Sequence, residues 1–267
     1  MRIRSPILIA SIGCPLLAWL SACKSQQSNS ITEPNQTPQF ADEPHAAPAA
    51  AADVRVLFIG NSHTAWHDLP DLVRRMMEFG RPKHKVRVHY FPVQFLDDLA
   101  NNPSANDVLN AHSWNFVALQ AQKISASGRF TYSRQEGIDF AKQARDRGAQ
   151  VFLFSEWGRK GVKDESRRTE KIYEEMAAAA NAKVAPIGHA WDLALTERPD
   201  LPLHAEDGNH QSAIGAFLTA SVLYGSITQE HPVALRGFPY AAIDARDRAV
   251  LLESAGEACP ASRDANR

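Results

Sequence analysis

Five short and largely apolar runs recur along this chain, at 54–59, 85–91, 115–120, 150–155 and 182–187, and the segments between them carry apolar residues at helical spacing. Leu69, Leu72, Val73, Met76 and Met77 repeat at i, i+3, i+4, i+7 and i+8, the stripe of a helix packed on one face. Further helical segments are expected over 134–147 and over 165–181, the latter with Ile172, Tyr173 and Met176 inward. Another is expected over 212–228, where Ile214, Phe217, Leu218, Val222 and Leu223 form one stripe. Strands that alternate with helices predict an α/β chain, a three-layer α/β/α sandwich on a five-stranded parallel sheet. Strands this apolar fit a sheet covered on both faces. Ligands of such sheets gather at the carboxyl ends of the strands, near the point where the strand order reverses. The polar residues that end each run are therefore the first candidates for chemistry.

The amino terminus reads as a targeting segment. Arg2 and Arg4 precede an apolar stretch over 6–20 that ends Leu20-Ser21-Ala22-Cys23. A basic flank, a short apolar run and small residues before a cut make a secretory signal. L-S-A-C resembles the bacterial lipobox, which implies a signal over 1–22 and lipidation of Cys23. Lys24 rather than Asp after the Cys implies the outer membrane of the cell envelope. Residues 23–52 are rich in Gln, Ser, Asn, Pro and Ala, and bury too little to offset their ordering entropy. They are expected to form a flexible tether with a span of roughly 30 Å. One domain then covers 53–258, with a frayed tail expected from about Asp247 and disorder over 259–267. A formal net charge of −1 gives no electrostatic footprint for nucleic acid. Of three cysteines, Cys14 leaves with the signal, Cys23 is lipidated and Cys259 stands alone, so neither a disulfide framework nor a thiolate metal site is expected.

The first run ends on Gly60-Asn61-Ser62-His63, residues that no core favours. A serine is a poor nucleophile until a base accepts its proton, and the base in turn needs an orienting acceptor. Asp207 and His210 supply such a pair, three apart in a loop that enters the last long helical segment, with Gly208 permitting a tight turn between them. Taken singly, Gly60, Asn61, Ser62 and Asp207 are also ordinary turn residues. His63 and His67 are four apart, a spacing that suits a metal, but without an evident third ligand no metal is expected. His63 is expected to line the cleft beside Ser62, and Glu156-Trp157-Gly158-Arg159 to face it from the end of the fourth run. Trp114 and Trp191 read as core.

GNS near the amino end with D-G-N-H near the carboxyl end resembles the SGNH (GDSL-like) hydrolase family over about 54–227. The resemblance implies a flavodoxin-like fold with Ser62 as nucleophile, His210 as general base and Asp207 as its partner. Asn61 replaces the Asp of G-D-S. The family's oxyanion donors are the Ser N–H, a Gly N–H after the second strand and an Asn side chain after the third. Here no Gly follows the second run, and in L-Q-A-Q Gln120 and Gln122 fall at the third strand's Gly and Asn positions. Gln122 is thus expected as an oxyanion donor, with Gln120, Asn61, His63 and Trp157 near the substrate. The implied activity is a cofactor-free serine esterase that hydrolyses short-chain, acetyl esters on carbohydrate. The alternatives are a lipase or thioesterase of the same family, and a weakly catalytic or inactive carbohydrate- or surface-binding lipoprotein. The partners implied are the ester substrate and, through the anchor, a membrane.

Overall fold

The structure, a computed structural model, describes residues Val54–Cys259. The signal over 1–22, Cys23 with the tether that follows it, and the segment after Cys259 lie outside the described residues.

Five strands form one sheet: β1 (Val54–Gly60), β2 (Val86–Pro92), β3 (Phe116–Leu119), β4 (Gln150–Phe154) and β5 (Lys183–Ala185). Their order is β2-β1-β3-β4-β5, and every neighbouring pair is parallel. The order reverses between β1 and β3, so the carboxyl end of β1 opens at the topological switch point.

Eight α-helices accompany the strands among the described residues: α1 (Ser62–Ala65), α2 (Leu69–Gly80), α3 (Pro103–Ala111), α4 (Gln135–Asp146), α5 (Glu165–Ala180), α6 (Ile187–Glu197), α7 (Ala213–Thr228) and α8 (Ala245–Ala258). The alternation along β1 divides the core. Val56 and Phe58 point into a cluster with α2, α6, α7 and α8, whereas Leu57 and Ile59 point into a second cluster with α3, α4 and α5. This is the expected three-layer α/β/α sandwich, with β1 buried on both faces.

The helices α3 and α6 were not expected from the sequence, and β5, α7 and α8 differ from what was. The fifth strand is shorter: Pro186 caps α6, and Ile187 is the first residue of that helix rather than the last of a strand. The last long helix, α7, is buried all round from Gly215 to Thr228 instead of on one stripe. Its polar side chains are satisfied internally. Ser221 Oγ donates to Phe217 O at 2.7 Å, Thr228 Oγ1 to Tyr224 O at 2.7 Å, and Thr219 Oγ1 accepts from Trp191 Nε1 at 3.2 Å.

What covers the outer side of α7 is α8, where a frayed tail was expected. Asp244 caps it by accepting from the Asp247 N–H at 2.8 Å, a strong start signal. Leu251, Leu252, Ala255 and Ala258 then pack inward. With only two large apolar residues in that set the helical stripe is faint in the sequence, because alanine marks a buried face weakly. Cys259 is itself buried against this helix pair, and burial pushes its thiol up to about 11.

Replacing Leu252 with Ala is expected to lower stability by about 2–4 kcal/mol, the cost of a cavity in a closed core. A shift in the urea midpoint at unchanged slope would measure it; a frayed tail would give no shift.

Candidate active site

At the end of β1 the chain must turn tightly over the neighbouring strand. A Cβ on Gly60 would collide with Thr64 Oγ1 and Gln120 Oε1, so only glycine fits. The Gly60 carbonyl accepts from Val93 N–H at 2.9 Å. The Tyr90 hydroxyl lies 3.1 Å from the Gly60 and Asn61 carbonyls, and burial pushes it up to about 12, which keeps it a donor. Asn61 then caps α1, its Oδ1 accepting from His63 N–H at 3.1 Å. Ser62 follows as the first helical residue and is exposed. Its N–H has no acceptor within the helix, as geometry requires of a first-turn donor.

Gln120 holds this turn from beneath. Its Oε1 accepts from Asn61 N–H and Thr64 Oγ1, both at 2.8 Å, and its Nε2 donates to Asn61 Oδ1 at 3.0 Å and to Glu156 Oε1. All four hydrogen-bonding positions of a fully buried amide are thereby used. Gln120 and Asn61, expected near the substrate, are instead a brace for the turn that carries Ser62. Asn61 Nδ2 completes the brace by donating to Gln94 O at 3.2 Å.

Gln122 also departs from expectation. Its Nε2 donates to Lys123 O at 3.1 Å and to Ser133 O at 2.9 Å, which closes the base of the loop after β3. Both amide hydrogens are spent, so the side chain has none to offer an oxyanion. The N–H groups that follow β2 are occupied too. Val93 donates to Gly60 O at 2.9 Å, while Gln94 and Phe95 donate to Asp98 Oδ2 at 3.2 Å and 2.9 Å.

The second half of the site is the loop before α7. Gly208 takes φ +69° there, as the tight turn requires. Asp207 Oδ1 accepts from the Asn209 and His210 N–H groups at 2.9 Å each, and its Oδ2 lies 2.5 Å from His210 Nδ1. The bond from His210, helped by the two backbone N–H groups, holds the Asp207 carboxyl down to about 2. His210 Nε2 lies 2.8 Å from Ser62 Oγ. Ser62, His210 and Asp207 thus form one continuous chain of hydrogen bonds across 148 residues of sequence.

Two devices keep the halves together. Gln211, fully buried, donates from Nε2 to His63 O at 3.2 Å and Trp66 O at 3.1 Å, and its own carbonyl accepts from His67 Nε2 at 3.2 Å. Trp157 donates from Nε1 to Asn209 O at 2.9 Å and stacks on Trp191 at 4.4 Å between ring centroids. With 4% of its surface exposed, Trp157 is a strut under the His210 loop and not the open cleft wall that was expected. It stands on the core, where Trp191 and Trp114 are both buried.

His63 does lie beside the relay, 5.0 Å from the His210 ring and 5.0 Å from Trp157. Its Nε2 is 3.1 Å from the Asn209 amide nitrogen, which can only donate. The ring proton therefore sits on Nδ1, 3.6 Å from Glu156 Oε1. His63 and His67 turn to different partners and do not converge.

One residue at the site was missed altogether. The Trp66 indole lies face to face with the His210 imidazole, at 4.1 Å between centroids and 11° between planes. The signal was present, because positions four apart on a helical turn share a face and Trp66 is four residues after Ser62.

Neither a protein-family model nor a curated protein sequence matches the chain. Solved structures do. A DUF4886 family protein from Bacteroides uniformis matches with TM-score 0.60 at 16% identity, over 77% of this chain and 94% of that one. A protein from Slackia heliotrinireducens assigned to the SGNH hydrolases matches with TM-score 0.52 at 23% identity, over 64% and 97%. An acetyl xylan esterase matches with TM-score 0.51 at 14% identity, over 64% and 98%. The fold is that of the SGNH (GDSL-like) hydrolases.

Substitution of Gly60 by Ala is expected to slow covalent labelling of Ser62 by a fluorophosphonate about a hundredfold, through displacement of the turn. Substitution of Gln122 by Ala is expected to slow it less than about tenfold, against the 10²–10³ that loss of an oxyanion donor costs. Labelling rates read by intact mass separate the two roles.

Proposed function

We propose that this chain is a serine esterase of the SGNH (GDSL-like) type, with Ser62 as nucleophile, His210 as general base and Asp207 as its orienting partner. The observation that carries the reading is the unbroken relay from Ser62 Oγ through His210 to Asp207, 2.8 Å and 2.5 Å long, at the switch point of this fold. Asp207 fixes the proton on Nδ1, so Nε2 presents its lone pair to the hydroxyl. As Ser62 Oγ bonds to the ester carbonyl carbon, its proton passes to Nε2 and the carbonyl oxygen takes the negative charge. The Ser62 N–H at the start of α1 is the donor best placed by chain geometry to meet that charge. Nε2 then returns the proton to the departing alcohol, leaving an acyl-enzyme. Water, deprotonated by the same imidazole, releases the acid and restores Ser62.

For substrate we infer short acyl, chiefly acetyl, esters on carbohydrate. The exposed indole of Trp66 beside Ser62 suits the apolar face of a sugar ring, and one protein of like fold is an acetyl xylan esterase. We further infer attachment to the cell envelope, on the outer membrane, through lipidated Cys23, with the segment over 23–52 as a tether. Among the described residues no helix is long and apolar enough to cross a membrane.

The spent donors of Gln122 and of Val93–Phe95 favour one other reading, a slow or inactive surface-binding lipoprotein on the same fold. Fluorophosphonate labelling separates the two. An esterase takes one adduct on Ser62, and Asp207→Asn slows its formation about 10³–10⁴-fold by freeing the wrong tautomer. A folded domain that takes no label would sink the esterase reading.

The pH dependence follows from Asp207. Its carboxyl is lowered in the folded protein, so what it contributes to stability is complete above the usual carboxylate range and is lost as pH falls toward about 2. Asp207 therefore stays ionised throughout the neutral and mildly acidic range. An acid limb in the labelling rate above about pH 5 is expected to persist in shape when Asp207 is replaced by Glu. A limb that moves to higher pH with the Glu carboxyl would mean that residue 207 itself titrates there.

A further inference from the structure

We propose that Trp66 raises the basicity of His210 by holding a π-face against the imidazolium that forms during proton transfer. This rests on His210 as the general base, and makes Trp66 a positioning residue that acts through that ring. The two rings stack at 4.1 Å and 11°. A cation over an indole face within about 6 Å is attracted by the ring quadrupole, and the neutral imidazole gains far less. Stacking of this kind stabilises the protonated form selectively.

The indole is fixed in place by its backbone. The Trp66 N–H bonds the Ser62 carbonyl, and its own carbonyl accepts from buried Gln211 Nε2 at 3.1 Å. The residues that follow, His67 at φ 57° and Asp68 at φ 49°, both take the left-handed conformation, so the chain reverses immediately beyond the stacked ring. Non-glycine residues adopt that conformation at a cost and keep it only where the surroundings over-determine it. Trp66 is nevertheless 40% exposed, so its large ring is held at the surface instead of being drawn into the core.

The other groups that face His210 act from other directions. Asp207, on the same loop, meets Nδ1 in the ring plane, and Ser62 of α1 meets Nε2. His63 of α1 stands edge-on at 5.0 Å and 86°, with its Nε2 3.1 Å from the Asn209 amide nitrogen. Glu156, after β4, reaches the pair only through His63, 3.6 Å from its Nδ1. His67 lies edge-on to the indole at 6.2 Å and bonds the Gln211 carbonyl. The face of the imidazole covered by Trp66 has no charged neighbour in this set, so the indole supplies an interaction that Asp207 does not.

The test is an NMR titration of His210 in protein carrying isotopically labelled histidine and Ser62→Ala, the signal assigned by its absence from His210→Gln. Trp66→Leu is expected to lower the His210 midpoint by about half a pH unit, and Trp66→Phe by less. In chains that retain Ser62, the acid limb of fluorophosphonate labelling should move to lower pH by the same amount. An unchanged or raised midpoint in the Leu variant would overturn the proposal and leave Trp66 a steric wall. If the Leu variant does not fold, the Phe variant decides, and a midpoint equal to that of the Trp66 protein overturns it. The titration needs no turnover, so failure of the esterase reading would show separately as a folded Ser62 protein without an adduct.

Discussion

The turn that presents Ser62 depends on one buried amide. Gln120 lies with no surface exposed at the end of β3, and a polar side chain in such a place must find partners for each of its donors and acceptors. It finds them in the Asn61 N–H and Oδ1, Thr64 Oγ1 and Glu156 Oε1. An amide left unsatisfied there would cost about 1–3 kcal/mol, so the bonds that satisfy Gln120 also fix where β1 stops and α1 begins. Gly60 is the corollary: the amide approaches the backbone so closely that no Cβ fits.

The relay itself joins segments far apart in sequence, and the fold keeps its geometry without a covalent link. Gln211 ties the His210 loop to the carbonyls of α1, and Trp157 props the same loop from the core through Asn209. The short hydrogen bonds between Ser62, His210 and Asp207 are thus the visible end of a larger set of contacts. Ser62 and the Asp207–His210 pair lie at the ends of loops, and the rigid sheet with its buried amides decides where they meet.

How much of this was legible depends on how far each signal reaches along the chain. Strand and helix periodicities act within a few residues, so all five strands, four of the longer helices and both motif loops could be read directly. The helix α8 could not, because alanines and two leucines make a faint stripe, and the burial of α7 on every side could not be read without it. Glutamine roles failed for a related reason. Gln120 and Gln122 look alike in L-Q-A-Q, yet one braces the turn at Ser62 and the other closes the loop after β3. Side-chain amides take whatever partners lie within reach, and sequence position does not say which those are.

The sequence alone determined the layer architecture, the place of Ser62 at the end of the first strand, and the pairing of Asp207 with His210, because each follows from local periodicity or a spacing of a few residues. Only the tertiary structure decided that Trp157 is a strut, that Asn61 and Gln120 are a brace, and that Trp66 lies flat on His210. Those roles arise from contacts between segments separated by many tens of residues. Their energies depend on burial and mutual orientation, which exist only once the sheet has brought β1, β3 and the loop before α7 to one edge.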